Sequence, residues 1–99
     1  MRLTQQQQTA ILKAAEKVLG KSAFVTLFGS RVNDQLKGGD IDLLFETSNA
    51  LDNKAQAICS LYAELQKSLG DRKIDILVKD ANTPSERIYS VAKSTGQRL

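Results

Sequence analysis

Ninety-nine residues are enough for one small domain and too few for two, so residues 1–99 are read as a single unit. Apolar residues make up 41% of the chain, but no run of 18 is apolar, which excludes a membrane-spanning helix. Histidine is absent, which excludes histidine acid–base chemistry and His-liganded zinc, and a single cysteine, Cys59, cannot close an internal disulfide.

The N-terminus MRLTQQQQ lacks the apolar stretch of a secretion signal, and with one cysteine this points to the cytoplasm. The net charge of +3 is unevenly placed. Residues 1–71 hold eight Lys/Arg and eight Asp/Glu, whereas residues 72–99 hold six and three. A basic C-terminal third either meets phosphates, RNA or an acidic partner, or is simply a solvated face.

Thr4 to Leu19 reads as a helix. Thr4 with Gln7 fits a capping box, Ile11, Ala15, Val18 and Leu19 form an apolar stripe, and Gly20 is the stop. Phe24–Phe28 (FVTLF) is a short β-branched and aromatic run, hence a buried strand. Residues 31–39 have room for one helical turn and a Gly38-Gly39 loop. A second strand spans Asp40–Glu46. A polar connection follows, with Ser48, Asn49 and Asp52 as candidate caps. Leu51, Ala55, Ile58, Tyr62, Leu65 and Leu69 then recur at helical spacing up to Gly70, with Tyr62 in the core and Cys59 a packing residue. Lys73–Val78 is a third strand. Thr83-Pro84-Ser85-Glu86 opens a last helix: Thr83 caps, Pro84 takes the first position and Glu86 completes the box. Ile88, Val91, Ala92 and Thr95 supply its inner face, and Gly96 stops it.

The chemistry concentrates in GSRVNDQLKGGDIDLLF. The first strand stops at Gly29-Ser30, where glycine lets the backbone turn or approach a ligand, and a serine with neighbouring N–H groups can hold phosphate oxygens. On the next strand Asp40 and Asp42 share a face, with Cα atoms about 6.5–7 Å apart. Two carboxylates on one face repel each other unless a cation sits between them, and a hard divalent ion with oxygen ligands is the natural choice. Asp75 stands near the start of the third strand, in the setting of Asp42. The bland alternative for Asp40 and Asp42 is an ordinary surface-facing strand start with two solvated aspartates, and Asp75 weighs against it.

A shared ligand at Gly29 and Asp40 requires the first two strands to run antiparallel. A shared position for Asp42 and Asp75 requires the second and third to run parallel, crossed by the long helix in a right-handed connection. The result is an α/β (α+β) fold, a three-stranded or slightly larger mixed sheet with helices packed on one face and the aspartates on the other.

Gly-Ser, a spacer, Asp-x-Asp on a strand and a third Asp on a later strand together resemble the DNA polymerase β-type nucleotidyltransferase superfamily. The small size resembles its minimal nucleotidyltransferase branch. The resemblance covers residues 24–78 most clearly. It implies an NTP substrate and two Mg²⁺ ions, for which Mn²⁺ may substitute. Asp40, Asp42 and Asp75 would be metal ligands and catalytic residues, with Asp75 completing the second metal site or accepting the acceptor hydroxyl's proton. Gly29, Ser30 and Arg31 would bind the nucleotide. Arg31 is equally well read as a surface cation beside Asp34. The sequence departs from the family's frequent pattern at Val32-Asn33-Asp34 and at Gly39, which touches phosphate and acceptor contacts and no metal ligand.

The branch further implies a HEPN-family partner protein. In such pairs the nucleotidyltransferase is the antitoxin and transfers AMP to a tyrosine of the HEPN toxin. With no room for an added helical domain, a second copy of the chain or a partner would complete the acceptor site. Two alternatives stand beside this: transfer to a small-molecule hydroxyl, as in aminoglycoside nucleotidyltransferases, and a non-catalytic module binding nucleotide or partner. RNA 3′-end extension is disfavoured, since no aromatic-rich basic face is visible.

Overall fold

The computed structural model describes residues 3–28, 41–70, 73–84 and 86–99. In chain order the elements are α1 (Gln5–Leu19), β1 (Phe24–Phe28), β2 (Ile41–Glu46), α2 (Lys54–Leu69), β3 (Ile74–Lys79), α3 (Arg87–Thr95) and β4 (Gln97–Arg98). The turn and glycine loop expected over 31–39 lie outside the described residues.

The two long helices are fixed by local chemistry at their ends. At α1 the Thr4 hydroxyl accepts from the Gln7 N–H at 3.0 Å and Gln7 Oε1 accepts from the Thr4 N–H at 2.8 Å, the reciprocal box expected from the sequence. Gly20 closes the helix with φ of 102°, a backbone state that favours glycine. At α2 the cap is Asn53, whose side chain accepts from the Gln56 N–H at 3.0 Å. The expected caps Ser48, Asn49 and Asp52 are not used. The reason is tertiary: Asp80 Oδ2 accepts from the Leu51 N–H at 2.8 Å and holds Leu51 outside the helix.

The sheet order is β3-β2-β1-β4. β1 pairs antiparallel with β2 and with β4, and β2 pairs parallel with β3. The strand directions expected from a shared site are therefore present, and β4 is an addition that the sequence pattern does not announce. Two residues are too short a run to carry a period.

Alternation along the strands divides the sheet into two faces. Val25, Leu27, Ile41, Leu43, Phe45, Ile74 and Val78 point to one side, where they pack with Ile11, Ala14, Ala15 and Leu19 of α1 and Ala57, Leu61, Leu65 and Leu69 of α2. Ile41, Leu43, Phe45, Leu61 and Leu65 are completely excluded from solvent. Each fully buried side chain of this kind contributes about 1.5–3 kcal/mol. The buried stripe of α2 is thus Ala57-Leu61-Leu65-Leu69, with Ile58 and Tyr62 at its margin, while Ala55 and Cys59 face solvent. The expected packing role of Cys59 is corrected accordingly. Across the outer surface Lys17 Nζ meets Glu64 Oε1 at 2.7 Å, and this hydrogen bond lowers the Glu64 pKa.

The opposite face carries Asp42, Leu44 and Glu46 of β2, in register with Asp75, Leu77 and Lys79 of β3 and with Phe28, Thr26 and Phe24 of β1. Helices α1 and α2 lie on the first face, as the fold class requires. The third helix differs: Lys93 Nζ stands 3.6 Å from Glu46 Oε2, which brings α3 to the second face at the end away from the aspartates.

Helix α3 departs from the sequence reading in its start and its rotation. It begins at Arg87, and Glu86 occupies the cap position with no side-chain cap bond. The Thr83 hydroxyl is engaged elsewhere, donating to Asp80 Oδ1 at 2.7 Å. Of the expected inner face only Ala92 is buried; Ile88 is 50% and Val91 46% exposed. The helix end explains the rotation. A Cβ on Gly96 would lie 2.5 Å from the Ala92 carbonyl oxygen and 2.6 Å from that of Leu27, so the turn after α3 presses backbone against β1. The chain then adds β4 to the β1 edge, with the Leu99 N–H donating to the Val25 carbonyl at 2.9 Å and the Arg98 guanidinium 4.5 Å above the Phe24 ring. These contacts set the helix orientation against the pull of its own apolar stripe.

Candidate active site

Parallel pairing brings two carboxylates together. Asp42 of β2 and Asp75 of β3 are register partners, and partners in adjacent strands lie about 4.8 Å apart. The Ile41 N–H donates to the Lys73 carbonyl at 2.9 Å and locks this register at the strand starts. A slip of one residue would send one aspartate into the aliphatic core, so burial of Ile41, Leu43, Ile74 and Val78 also enforces the pairing. Both aspartates are partly exposed.

Asp42 has a second neighbour in the sheet, Phe28, the last residue of β1. The strand that leads into Gly29-Ser30 therefore ends beside the aspartate pair. Gly29, Ser30, Arg31 and Asp40 themselves lie outside the described residues, so of the six candidate residues the structure places Asp42 and Asp75. Among the described residues no group of three acidic or cysteine ligands is assembled.

The chain matches the family model for polymerase beta, nucleotidyltransferase over residues 7–97. It belongs to that family. No curated protein matches the chain. Membership makes it a nucleotidyltransferase domain with an NTP as substrate, in a family that generally uses divalent metals. No helix among the described residues is long and apolar enough to cross a membrane.

The donor set of this nucleotidyltransferase suits a hard divalent ion. Asp42 and Asp75 offer carboxylate oxygens from adjacent strands on one face, the ligand type that Mg²⁺ and Mn²⁺ prefer. Two carboxylates side by side on one face of a sheet repel each other. A divalent cation between them reverses the sign of that interaction.

Two buried acidic groups escaped the sequence reading. Asp80, 5% exposed, follows β3 and receives the Thr83 hydroxyl, the Leu51 N–H and the Asn82 N–H at 2.7, 2.8 and 3.1 Å. The Thr83 hydroxyl first, then the backbone N–H groups, hold its carboxyl below the usual carboxylate range. Lys54, in the first turn of α2, donates to the same Thr83 hydroxyl at 3.1 Å. Asp80 thus ties the exit of β3 to the entry of α2, and the D-x-x-T run after a strand is the local signal for such a turn. Glu46, 8% exposed, keeps one carboxylate oxygen on Lys93 while the other is buried with no hydrogen bond among the described residues. Two surface grooves, of about 470 and 450 Å³, lie on the helix side around Lys17 and Glu64, away from the aspartate face.

Proposed function

We propose that this chain transfers a nucleoside monophosphate, AMP from ATP, to a tyrosine hydroxyl of a HEPN-type partner protein, and that it acts as the antitoxin of that pair. The observation that carries the transferase reading is the register pairing of Asp42 with Asp75 beside the end of β1, within a match to the polymerase beta nucleotidyltransferase family. The choice of a protein acceptor rests on the small size of the 99-residue sequence, which resembles the minimal branch of that family.

In this reading Asp40, Asp42 and Asp75 hold two Mg²⁺ ions, and Gly29, Ser30 and Arg31 hold the phosphates of ATP. The ions, when bound, stabilise the attacking and leaving oxygens of an in-line displacement. The tyrosine oxygen forms a bond to the α-phosphorus, the bond from that phosphorus to the β-phosphate bridging oxygen breaks, and pyrophosphate leaves. The hydroxyl proton passes to solvent or to Asp75. Residues 1–99 work as one nucleotidyltransferase domain in the cytoplasm, with the partner or a second copy completing the acceptor site.

The test is intact-mass spectrometry with ATP and Mg²⁺, with and without the product of the neighbouring open reading frame. A gain of one or more AMP units on that product, absent with Asp42→Asn, supports the proposal. An unmodified partner beside pyrophosphate release onto a small hydroxylated molecule would overturn the protein acceptor and leave the transferase standing.

A further inference from the structure

Strand β3 lies at an edge of the sheet. In the order β3-β2-β1-β4 its one partner among the described residues is β2, while the other edge strand, β4, is only two residues long. β3 runs six residues, Ile74–Lys79, without proline or glycine, and Asp75, Ile76, Leu77 and Lys79 are half-buried. A flat edge with apolar side chains is a template for another strand. The hydrogen-bond phase decides which groups it presents. The Ile41 N–H donates to the Lys73 carbonyl and the Thr47 N–H to the Lys79 carbonyl. In a parallel ladder this turns the backbone groups of Asp75, Leu77 and Lys79 toward β2, and those of Ile74, Ile76 and Val78 outward. Neither Asp75 nor Lys79 makes a side-chain ion pair among the described residues.

We infer that β3 pairs antiparallel with β3 of a second copy of this chain, about a two-fold axis through Leu77. Charge selects both the occupant and the register. The run Asp75-x-Leu77-x-Lys79 complements itself when reversed. With Leu77 opposite Leu77, Asp75 of each copy meets Lys79 of the other, on the sheet face that carries Asp42. Ile76 then stands opposite Val78, and their outward N–H and carbonyl groups exchange hydrogen bonds. A register centred on Ile76 would set Lys79 against Lys73 and leave Asp75 opposite Leu77. One centred on Val78 would pair Ile76 with Asp80, whose N–H already donates to the Thr83 hydroxyl at 3.1 Å. Parallel pairing in register would stack Asp75 on Asp75 and Lys79 on Lys79, which like charge opposes. The antiparallel pair closes on itself, because each copy's β3 edge is then used. Each aspartate site gains a cation supplied by the other copy. Association needs neither nucleotide nor metal, so it stands or falls separately from transfer.

Cysteine cross-linking reads the register. Leu77→Cys, in a Cys59→Ser background, puts two thiols on the axis at a close pair with Cα atoms about 4.5 Å apart, within the span of a disulfide. Mild oxidation should join it as a covalent dimer, while Ile76→Cys and Val78→Cys in the same background should stay largely unlinked. Sedimentation equilibrium without ATP or metal reads the charges. The parent chain should dimerise with a Kd between about 1 μM and 1 mM, modest because the paired strands are short. Lys79→Asp and Asp75→Lys should each weaken self-association about tenfold or more, and an equimolar mixture of the two should associate again. Unchanged dispersion of the amide signals shows that each variant is folded. A parent chain still monomeric at about 1 mM, self-association that Lys79→Asp leaves unchanged, or cross-linking strongest at Ile76→Cys or Val78→Cys would overturn the inference.

Discussion

Asp42 and Asp75 face one another across the parallel pairing of β2 and β3, on the sheet face opposite the aliphatic core. Thirty-three positions of sequence separate them, including the whole of α2. Their meeting depends on the crossover through α2 and on a register held by the Ile41 N–H and the Lys73 carbonyl.

Asp75→Asn keeps the volume of the side chain and removes its charge. With the role proposed for Asp75, nucleotidyl transfer should fall about 100-fold or more, the loss expected for a group that acts in the transition state. The melting temperature should hold or rise, since one of two facing carboxylates becomes neutral. Pyrophosphate release and thermal melts would check both halves. An inactive but also unfolded variant would mark Asp75 as structural.

Leu61 is fully excluded from solvent at the centre of the α2 stripe. Leu61→Ala should cost about 2–5 kcal/mol through lost transfer energy and the cavity left behind. In a chain of this size that lowers the melting temperature by roughly 10–30 °C. The solvent-facing Ala55→Ser, in the first turn of the same helix, should change it little. Urea titrations of both variants would show whether the observed stripe, and not the one through Ala55, holds the helix.

Gly96 has an ordinary φ of −94°, so its requirement is space and not conformation. Gly96→Ala would put a methyl group against two carbonyl oxygens and should destabilise by about 1–3 kcal/mol, the usual range for overpacking. The damage should concentrate where α3 and β4 meet β1. Hydrogen exchange should rise first at the Leu99 amide, which donates to Val25. Uniform loss of protection across all strands would contradict this.

Asp80 gives the fold a predictable acid dependence. Its carboxyl is lowered by the Thr83 hydroxyl and the Leu51 and Asn82 N–H groups, so the folded state binds a proton less readily than the unfolded chain. The stability it contributes is therefore fully present above the unfolded value, near 3.9, and is lost as pH falls through the lower folded value. Asp80→Ala should be less stable than the parent at neutral pH, and the difference should shrink in acid. Denaturant midpoints at pH 7 and near pH 3 would measure it; a difference that grows in acid would exclude this account.

Most of the architecture was legible because it rests on local rules. The Thr4–Gln7 box, the Gly20 and Gly70 stops, the FVTLF strand and the strand directions are all as the sequence indicates. Of the site, Asp42 and Asp75 are brought together as expected, while Gly29, Ser30, Arg31 and Asp40 lie outside the described residues. Local rules failed where a distant group competed for the same atoms. Asp80 claims both the Leu51 N–H and the Thr83 hydroxyl, which delays α2 to Asn53 and removes the cap foreseen for α3.

The sequence by itself determined which residues alternate, which repeat at helical spacing and which carboxylates stand at strand starts, because period and capping are properties of neighbours along the chain. The tertiary structure alone decided the rotation of α3, the edge strand β4 and the burial of Glu46 and Asp80. Each depends on close approach between segments far apart in sequence. At Gly96 a missing side chain lets two backbones touch, and that contact outweighs the burial of Ile88 and Val91 that the pattern of α3 would favour.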